Sequence, residues 1–324
     1  MKKKALWIGG AGLAALLAGG SRFFFEVAVP RNSHIPRLGK KEEEDVWRKE
    51  IRQRISKAIE WLKDQETEQL TVTSYDGLKL RATLFPAGQE IPPKIIVAVH
   101  GYRNCGEREY AAMAPFFHRL GYHLLMVDDR AHGESEGDYI GYGWQDHFDC
   151  ETWIEYLIKR FGQEAEIVLY GISMGAATVM ITAGDRLPEQ VKGVIADCGY
   201  TSAMDQFRFV LKTVYHLPAF PLLPLTRRLT KRKAGYDFED CDAKTALGRA
   251  TLPFLFIHGD QDDFVPTSMG RENLKACASE KKELLFIEGA GHAQSYFVDT
   301  ARYEEAVERF LSQLEKTPIS SVSL

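Results

Sequence analysis

The sequence predicts an α/β fold: a mostly parallel sheet flanked by helices, with a short helical cap inserted after the sixth strand. Three observations carry this. Short apolar runs suited to buried strands alternate with helical patterns from about residue 95 to residue 314. A pair of β-rich arms around Asp76-Gly77 opens the alternation. Near the middle, Glu166 to Ala183 reads as strand, sharp glycine turn and helix, with Ser173 at the apex of the turn.

In chain order, Lys2-Lys3-Lys4 precedes Ala5 to Gly20, sixteen residues without charge. Extended to Val29, past Arg22 and Glu26, this segment is long enough to cross a membrane, with Trp7 and Phe23-Phe24-Phe25 at the two interfaces. The expectation is an uncleaved single-pass anchor over residues 1–29 that places the protein at the cell membrane; a cleaved signal peptide and a buried helix are the alternatives. The lysines favour an inside N-terminus and an extracytoplasmic main domain, a bias that Arg31, Arg37, Lys40 and Lys41 weaken. Residues 30–69 read as a linker and an amphipathic helix. Trp47, Ile51, Ile55, Ala58, Ile59 and Leu62 recur at three- and four-residue spacing, a stripe expected to pack on the following domain.

That domain is expected over residues 70–316, with its cap at about 200–250 and a tail at 317–324. Leu70 to Ser74 and Leu78 to Phe85 form the hairpin. Ile95-Ile-Val-Ala-Val99 is a central strand ending in His100-Gly101-Tyr102, followed by a helix from Tyr110 to Leu120. Tyr122 to Val127 is the next strand. It ends in Asp128-Asp129-Arg130 and a loop reaching Gly137, before a helix around Phe148 to Phe161. The turn at Ser173 follows, then a strand from Val191 to Ala196. Pro218, Pro221 and Pro224, several aromatics and the basic run Arg227 to Lys233 mark the cap. Strands return at Leu252 to Ile257 and Glu283 to Ile287, and a helix from about Arg302 to Leu314 closes the domain.

At 324 residues and 45% hydrophobic, the chain can hold one large core. A net charge of −4 gives no broad attraction for nucleic acid. The five cysteines are widely spaced with no CxxC, which argues against a disulfide framework or a zinc site.

Gly171-Ile172-Ser173-Met174-Gly175 has the form of a nucleophile elbow, in which glycines let strand and helix backbones come close and the serine hydroxyl projects above the sheet. A serine hydroxyl is a poor nucleophile at neutral pH. It needs a base, an acid to orient that base, and donors for the developing oxyanion. His292, after the last strand, is the preferred base over His100, His132 and His258. Asp262 is the preferred acid. Asp260 reads as a turn residue, Asp263 is a near neighbour, and Asp197 caps a helix or helps to hold the base. The backbone amides of Tyr102 and Met174 are the expected oxyanion donors.

The run His100-Gly101-Tyr102, the loop Asp129-Arg130-Ala131-His132-Gly133-Glu134-Ser135, the elbow, His258-Gly-Asp-Gln-Asp262 with Val265-Pro266, and Gly291-His292 together resemble the α/β-hydrolase superfamily. The segments Leu217 to Pro224 and Gly291 to Tyr296 are similar to its bacterial "alpha/beta hydrolase", serine aminopeptidase-like branch, whose members often carry an N-terminal membrane segment. The resemblance covers about residues 70–315 and implies the α/β-hydrolase fold, with Ser173, Asp262 and His292 as a triad. Ala131 departs from the glycine common in related loops, which bears on loop shape.

The expected activity is hydrolysis of an acyl bond in a small-molecule substrate, first a carboxylic ester, by a serine hydrolase that needs no metal or organic cofactor. A peptidase or amidase, and a non-catalytic scaffold on the same fold, are the alternatives. Phe207, Phe209, Tyr215 and Phe220 suit an apolar substrate group or the core of the cap. The basic run at 227–233 reads as a solvated cap helix, or as a contact for anionic lipid heads.

Overall fold

The computed structural model describes residues 17–33, 46–88 and 91–315. Eight strands form one sheet: β1 (Glu68–Thr73), β2 (Lys79–Phe85), β3 (Lys94–Val99), β4 (Tyr122–Asp128), β5 (Glu166–Ile172), β6 (Val191–Asp197), β7 (Phe254–Gly259) and β8 (Lys282–Ile287). Their order is β1-β2-β4-β3-β5-β6-β7-β8. β1 and β2 pair antiparallel, as do β2 and β4; every other pairing is parallel. The hairpin turns at Gly77, whose φ of +92° suits a residue without Cβ.

The parallel strands are apolar at nearly every position because both faces are covered. Ile95, Val97 and Val99 face one core, shared with α5 (Trp144–Phe161) and α6 (Met174–Thr182). Ile96 and Ala98 face the other. There they meet α3 (Gly106–Tyr110), α4 (Ala114–Arg119) and α12 (Thr300–Glu315). The single helix expected from 110 to 120 is therefore two short ones. Pro115 explains the break: it lacks an N–H and its ring clashes with the carbonyl four residues back, so the helix restarts with proline in its first turn. The stripe of α2 (Val46–Lys63) packs on this second core, with Leu62 buried and Trp47, Ile51, Ile55 and Ile59 partly so.

Between β6 and β7 the chain forms α7 (Ala203–Thr213), α8 (Leu222–Ala234) and α9 (Ala243–Leu247). Two further helices, α10 (Thr267–Ala276) and α11 (Ser295–Val298), flank β8.

The N-terminal segment departs from the sequence expectation. Residues 17–28 form a helix, α1, that packs on the domain: Phe25 is 1% exposed, Val27 8% and Val29 0%. The Val27 carbonyl accepts from Arg103 Nη2 at 2.6 Å, and the Ala28 carbonyl accepts from the hydroxyls of Tyr102 and Tyr142, each at 2.8 Å. A span reaching Val29 is thus not formed, because the side chains that would face lipid fill the protein's own interior. For residues 17–28 the buried-helix alternative holds. The earlier part of the expected anchor, residues 1–16, lies outside the described residues, as do linker residues 34–45 and the tail. Among the described residues no helix is long and apolar enough to cross a membrane.

Candidate active site

Ser173 joins β5 to α6 with φ +57° and ψ −112°, a conformation an L-residue adopts at a cost of about 1–3 kcal/mol. Two close approaches hold it there. A Cβ on Gly171 would lie 2.1 Å from the Gly175 carbonyl oxygen, and a Cβ on Gly175 would lie 1.9 Å from that of Val99. Only glycine at both positions lets the helix start so close to the sheet. The Ser173 amide donates to the Asp197 carbonyl at 2.8 Å, tying the elbow to the end of β6.

The structure brings the three predicted side chains together from three strand ends. His292 Nε2 lies 2.9 Å from Ser173 Oγ, and His292 Nδ1 lies 2.8 Å from Asp262 Oδ2. A carboxylate can only accept, so Nδ1 carries the proton and the Nε2 lone pair faces the serine hydroxyl. Asp262 Oδ1 accepts from the amides of Phe264 and Val265 at 3.0 and 2.8 Å. Burial pushes the Asp262 carboxyl up. Hydrogen bonds from His258 and His292 outweigh burial and hold it well below the usual carboxylate range.

The rejected candidates have other partners. His100 is buried; its Nε2 accepts from the Asp129 amide, and burial lowers it to about 4. His132 Nε2 accepts from the Arg103 amide, and burial lowers it to about 3. Asp260 Oδ1 accepts from the Gly289 amide at 2.7 Å, a turn role, and Asp263 is exposed. Asp197 is buried, accepts from Tyr303 Oη at 3.0 Å, and is raised to about 6 by burial.

One further residue beside Ser173, His292 and Asp262 went unforeseen in this role. His258 Nε2 is 3.4 Å from Asp262 Oδ2 and 2.9 Å from the Val265 carbonyl. Its sequence signal was its place at the end of β7, four residues before Asp262. Burial lowers the His258 ring, but its bond to Asp262 raises it further, and the net shift is upward.

Tyr102 and Met174, whose amides are the expected oxyanion donors, both line the cavity over Ser173. Among the described residues neither amide donates a hydrogen bond within the chain. A Cβ on Gly101 would be 3.4 Å from Ser173 Cβ, so the loop runs directly beside the elbow. Glu109 Oε2 holds that loop, accepting from the Gly101 amide at 3.1 Å and Asn104 Nδ2 at 2.7 Å. Glu109 was not singled out by sequence reasoning, which began the helix only at Tyr110; it lies in α3. Arg103, Ser173, Cys198 and Ala293, each beside the site, all have positive φ, and such strain clusters at functional sites.

Among the described residues the side chains placed to share a metal are Cys198, Asp262 and His292, with donor atoms within 4.8 Å of one another. Burial holds the Cys198 thiol well above its ordinary range, and the facing atoms of Asp262 and His292 are engaged with each other.

A cavity of about 180 Å³ opens onto Ser173. Its walls are almost wholly apolar. Phe207, Val210 and Leu211 of α7, Leu223 of α8, and Tyr215 supply the cap side. Phe24, Val27 and Ala28 supply the side made by α1. The hydroxyls of Tyr102, Tyr142 and Tyr200 turn away to backbone carbonyls. Of the cap aromatics, Phe207 and Tyr215 reach the cavity, Phe209 packs on the core, and Phe220 is 78% exposed. In the basic run, Arg227 pairs with Asp237 at 2.5 Å, Lys231 with Asp237 at 3.7 Å and Lys233 with Glu26 at 3.4 Å. The neighbouring acids thus offset much of its charge, as in a solvated helix.

Residues 90–233 match the family model described as serine aminopeptidase, S33. The chain is 30% identical over 222 residues to the uncharacterized protein YqkD of Bacillus subtilis, covering 68% of this chain and 72% of that one. In structure it is similar to the esterase Pf2001 of Pyrococcus furiosus, with a TM-score of 0.63 at 19% identity over 86% of this chain and 96% of that one. It is also similar to Est1E of Butyrivibrio proteoclasticus, solved with ferulic acid, with a TM-score of 0.60 at 20% identity over 76% of this chain and all of that one. With an eight-stranded sheet of this order and these relatives, the chain belongs to the α/β-hydrolase superfamily.

Proposed function

We propose that the protein is a serine hydrolase that cleaves carboxylic esters with an apolar acyl group, by way of an acyl-enzyme. The observation that carries this is the 2.9 Å contact between Ser173 Oγ and His292 Nε2 at the floor of an apolar cavity. His292 takes the proton of Ser173 as its oxygen attacks the carbonyl carbon. Asp262 holds the Nδ1–H tautomer and stabilises the imidazolium. The Tyr102 and Met174 amides receive the oxyanion. His292 then gives its proton to the departing alcohol. Water, activated by the same ring, releases the acid and restores Ser173.

The lining favours an ester over a peptide. No carboxylate borders the cavity among the described residues, so an N-terminal ammonium finds no anchor there. Glu109, beside the elbow, already accepts from Gly101 and Asn104. A scaffold that had lost catalysis would tolerate a displaced His292 or a filled cavity, and neither is seen.

The test is fluorophosphonate labelling of the full chain and of Ser173→Ala, with hydrolysis of p-nitrophenyl esters followed in parallel. Labelling and turnover that both vanish in Ser173→Ala are expected. Labelling without ester turnover moves the reading to a peptidase or amidase. A folded wild type that does not label overturns it.

A further inference from the structure

We propose that the N-terminal segment 17–33 is a substrate-specificity element, in which Phe24 and Val27 form the wall that bounds a linear apolar acyl chain. This rests on the ester-hydrolase reading and deepens it. The segment precedes the stretch 90–233 that matches the family, so the family match assigns it no role.

Three observations carry the proposal. Phe24 and Val27, one turn apart on α1, border the same cavity as Ser173. Phe24 meets Tyr215 edge-on, ring centroids 5.0 Å apart, and so closes the cavity against the cap.

The segment is also fixed at both of its sides. Toward the cap, Thr226 Oγ1 donates to the Ser21 carbonyl at 3.3 Å, and Lys233 Nζ sits 5.1 Å over the Phe25 ring. Toward the sheet, the Arg31 amide donates to the Asp138 carbonyl at 2.8 Å, and Pro30 bridges to Tyr139. A wall that selects substrates must not yield to them, and these contacts hold it.

The wall is joined to the chemistry as well. The Val27 and Ala28 carbonyls accept from Arg103 and Tyr102, in the loop whose Tyr102 amide is the proposed oxyanion donor. One piece of chain therefore bounds the acyl group and steadies a donor for its carbonyl oxygen.

The experiment uses the full chain and p-nitrophenyl esters from acetate to dodecanoate. Rates are divided by the number of fluorophosphonate-labelled sites, so a partly unfolded sample loses active molecules without changing the ratio between substrates. Phe24→Ala lengthens the cavity and raises the decanoate-to-butyrate ratio of kcat/KM about tenfold. Val27→Phe fills it and lowers the same ratio about tenfold. Arg22→Ala, on the outer side of α1 with its side chain 75% exposed, leaves the ratio unchanged. A labelled wild type whose ratio stays within twofold in both cavity variants overturns the wall and spares the hydrolase reading. An unlabelled wild type overturns both. A shift in Arg22→Ala equal to that in Phe24→Ala means general loosening of α1 and overturns the assignment to the two lining side chains.

Discussion

Alanine at Gly175 puts a methyl group where backbone already stands. Its Cβ would lie 1.9 Å from the Val99 carbonyl oxygen and 2.7 Å from that of His100. Both belong to the backbone at the end of β3, so neither can rotate away. The first contact must open from 1.9 Å to at least 3.0 Å, a retreat of about 1.1 Å at the start of α6. Ser173 lies two residues earlier on the same turn. Carried along, its 2.9 Å contact with His292 lengthens toward 4 Å, about 1 Å too long for a hydrogen bond. A misplacement of about 1 Å costs roughly a hundredfold in rate. Overpacking adds about 1–3 kcal/mol of destabilisation, and each kcal/mol lowers Tm by roughly 2–4 °C in a large domain. The assay pairs the fluorophosphonate labelling rate with Tm. The control is Gly235→Ala, where φ is +80° but nothing lies within 4 Å of the added methyl. It should lower Tm through backbone strain and leave labelling unchanged. Gly175→Ala labelling within threefold of wild type would refute the claim that this close approach positions Ser173.

Three other substitutions probe separate parts of the site. Asp262→Asn keeps an oxygen for the Phe264 and Val265 amides but turns an NH2 toward His292 Nδ1. That forces the wrong tautomer, and kcat should fall by about 10⁴ with circular dichroism unchanged. Asp197 has a folded value of about 6 against an ordinary 3.8. The native state binds its proton more tightly, so this group's contribution to stability is lost as pH rises across that window, by up to about 3 kcal/mol. Asp197→Asn escapes the loss, and its Tm relative to wild type should rise between pH 4 and pH 7; a flat difference removes the account. Tyr102→Phe deletes one hydroxyl bond to the Ala28 carbonyl, which keeps Tyr142 as a donor. The cost is about 0.5–1.5 kcal/mol. Because the Tyr102 amide remains, labelling should fall only a few-fold, and a loss beyond a hundredfold would mean that the phenol itself takes part.

The central strands are legible because a parallel strand covered on both faces must be apolar throughout, and Ile95 to Val99 offers no other reading. The three side chains proposed as a triad are legible because each falls just after a parallel strand, where the chain must leave the sheet. α10 is not legible. It buries only Met269, Gly270 and Asn273, too sparse a set to make an apolar stripe. His258 was weighed only as a base, since nothing in a linear sequence shows that its ring would turn back on Asp262. The N-terminal helix misleads for a plainer reason. Hydropathy reports that a segment leaves water but not which apolar medium receives it. For Phe25 and Val29 that medium is the protein's own core.

His292, the proposed base, sits on a loop, and a base on a loop must still be held to within a fraction of an ångström. The turn after β7 does the holding at several points along the loop after β8. The Asp260 amide donates to the Ile287 carbonyl at 3.0 Å, and the Gln261 amide to that of Ala290 at 3.0 Å. Asp260 Oδ1 accepts from the Gly289 amide at 2.7 Å. Gly259 admits the approach, since a Cβ there would stand 2.2 Å from the Ala290 carbonyl oxygen. Asp262 then completes the seam at the imidazole itself. The acids crowded into residues 260–263 are therefore not redundant. Asp260 fixes the backbone that carries His292, Asp262 fixes the ring, and the two together tie a loop histidine to the end of β7.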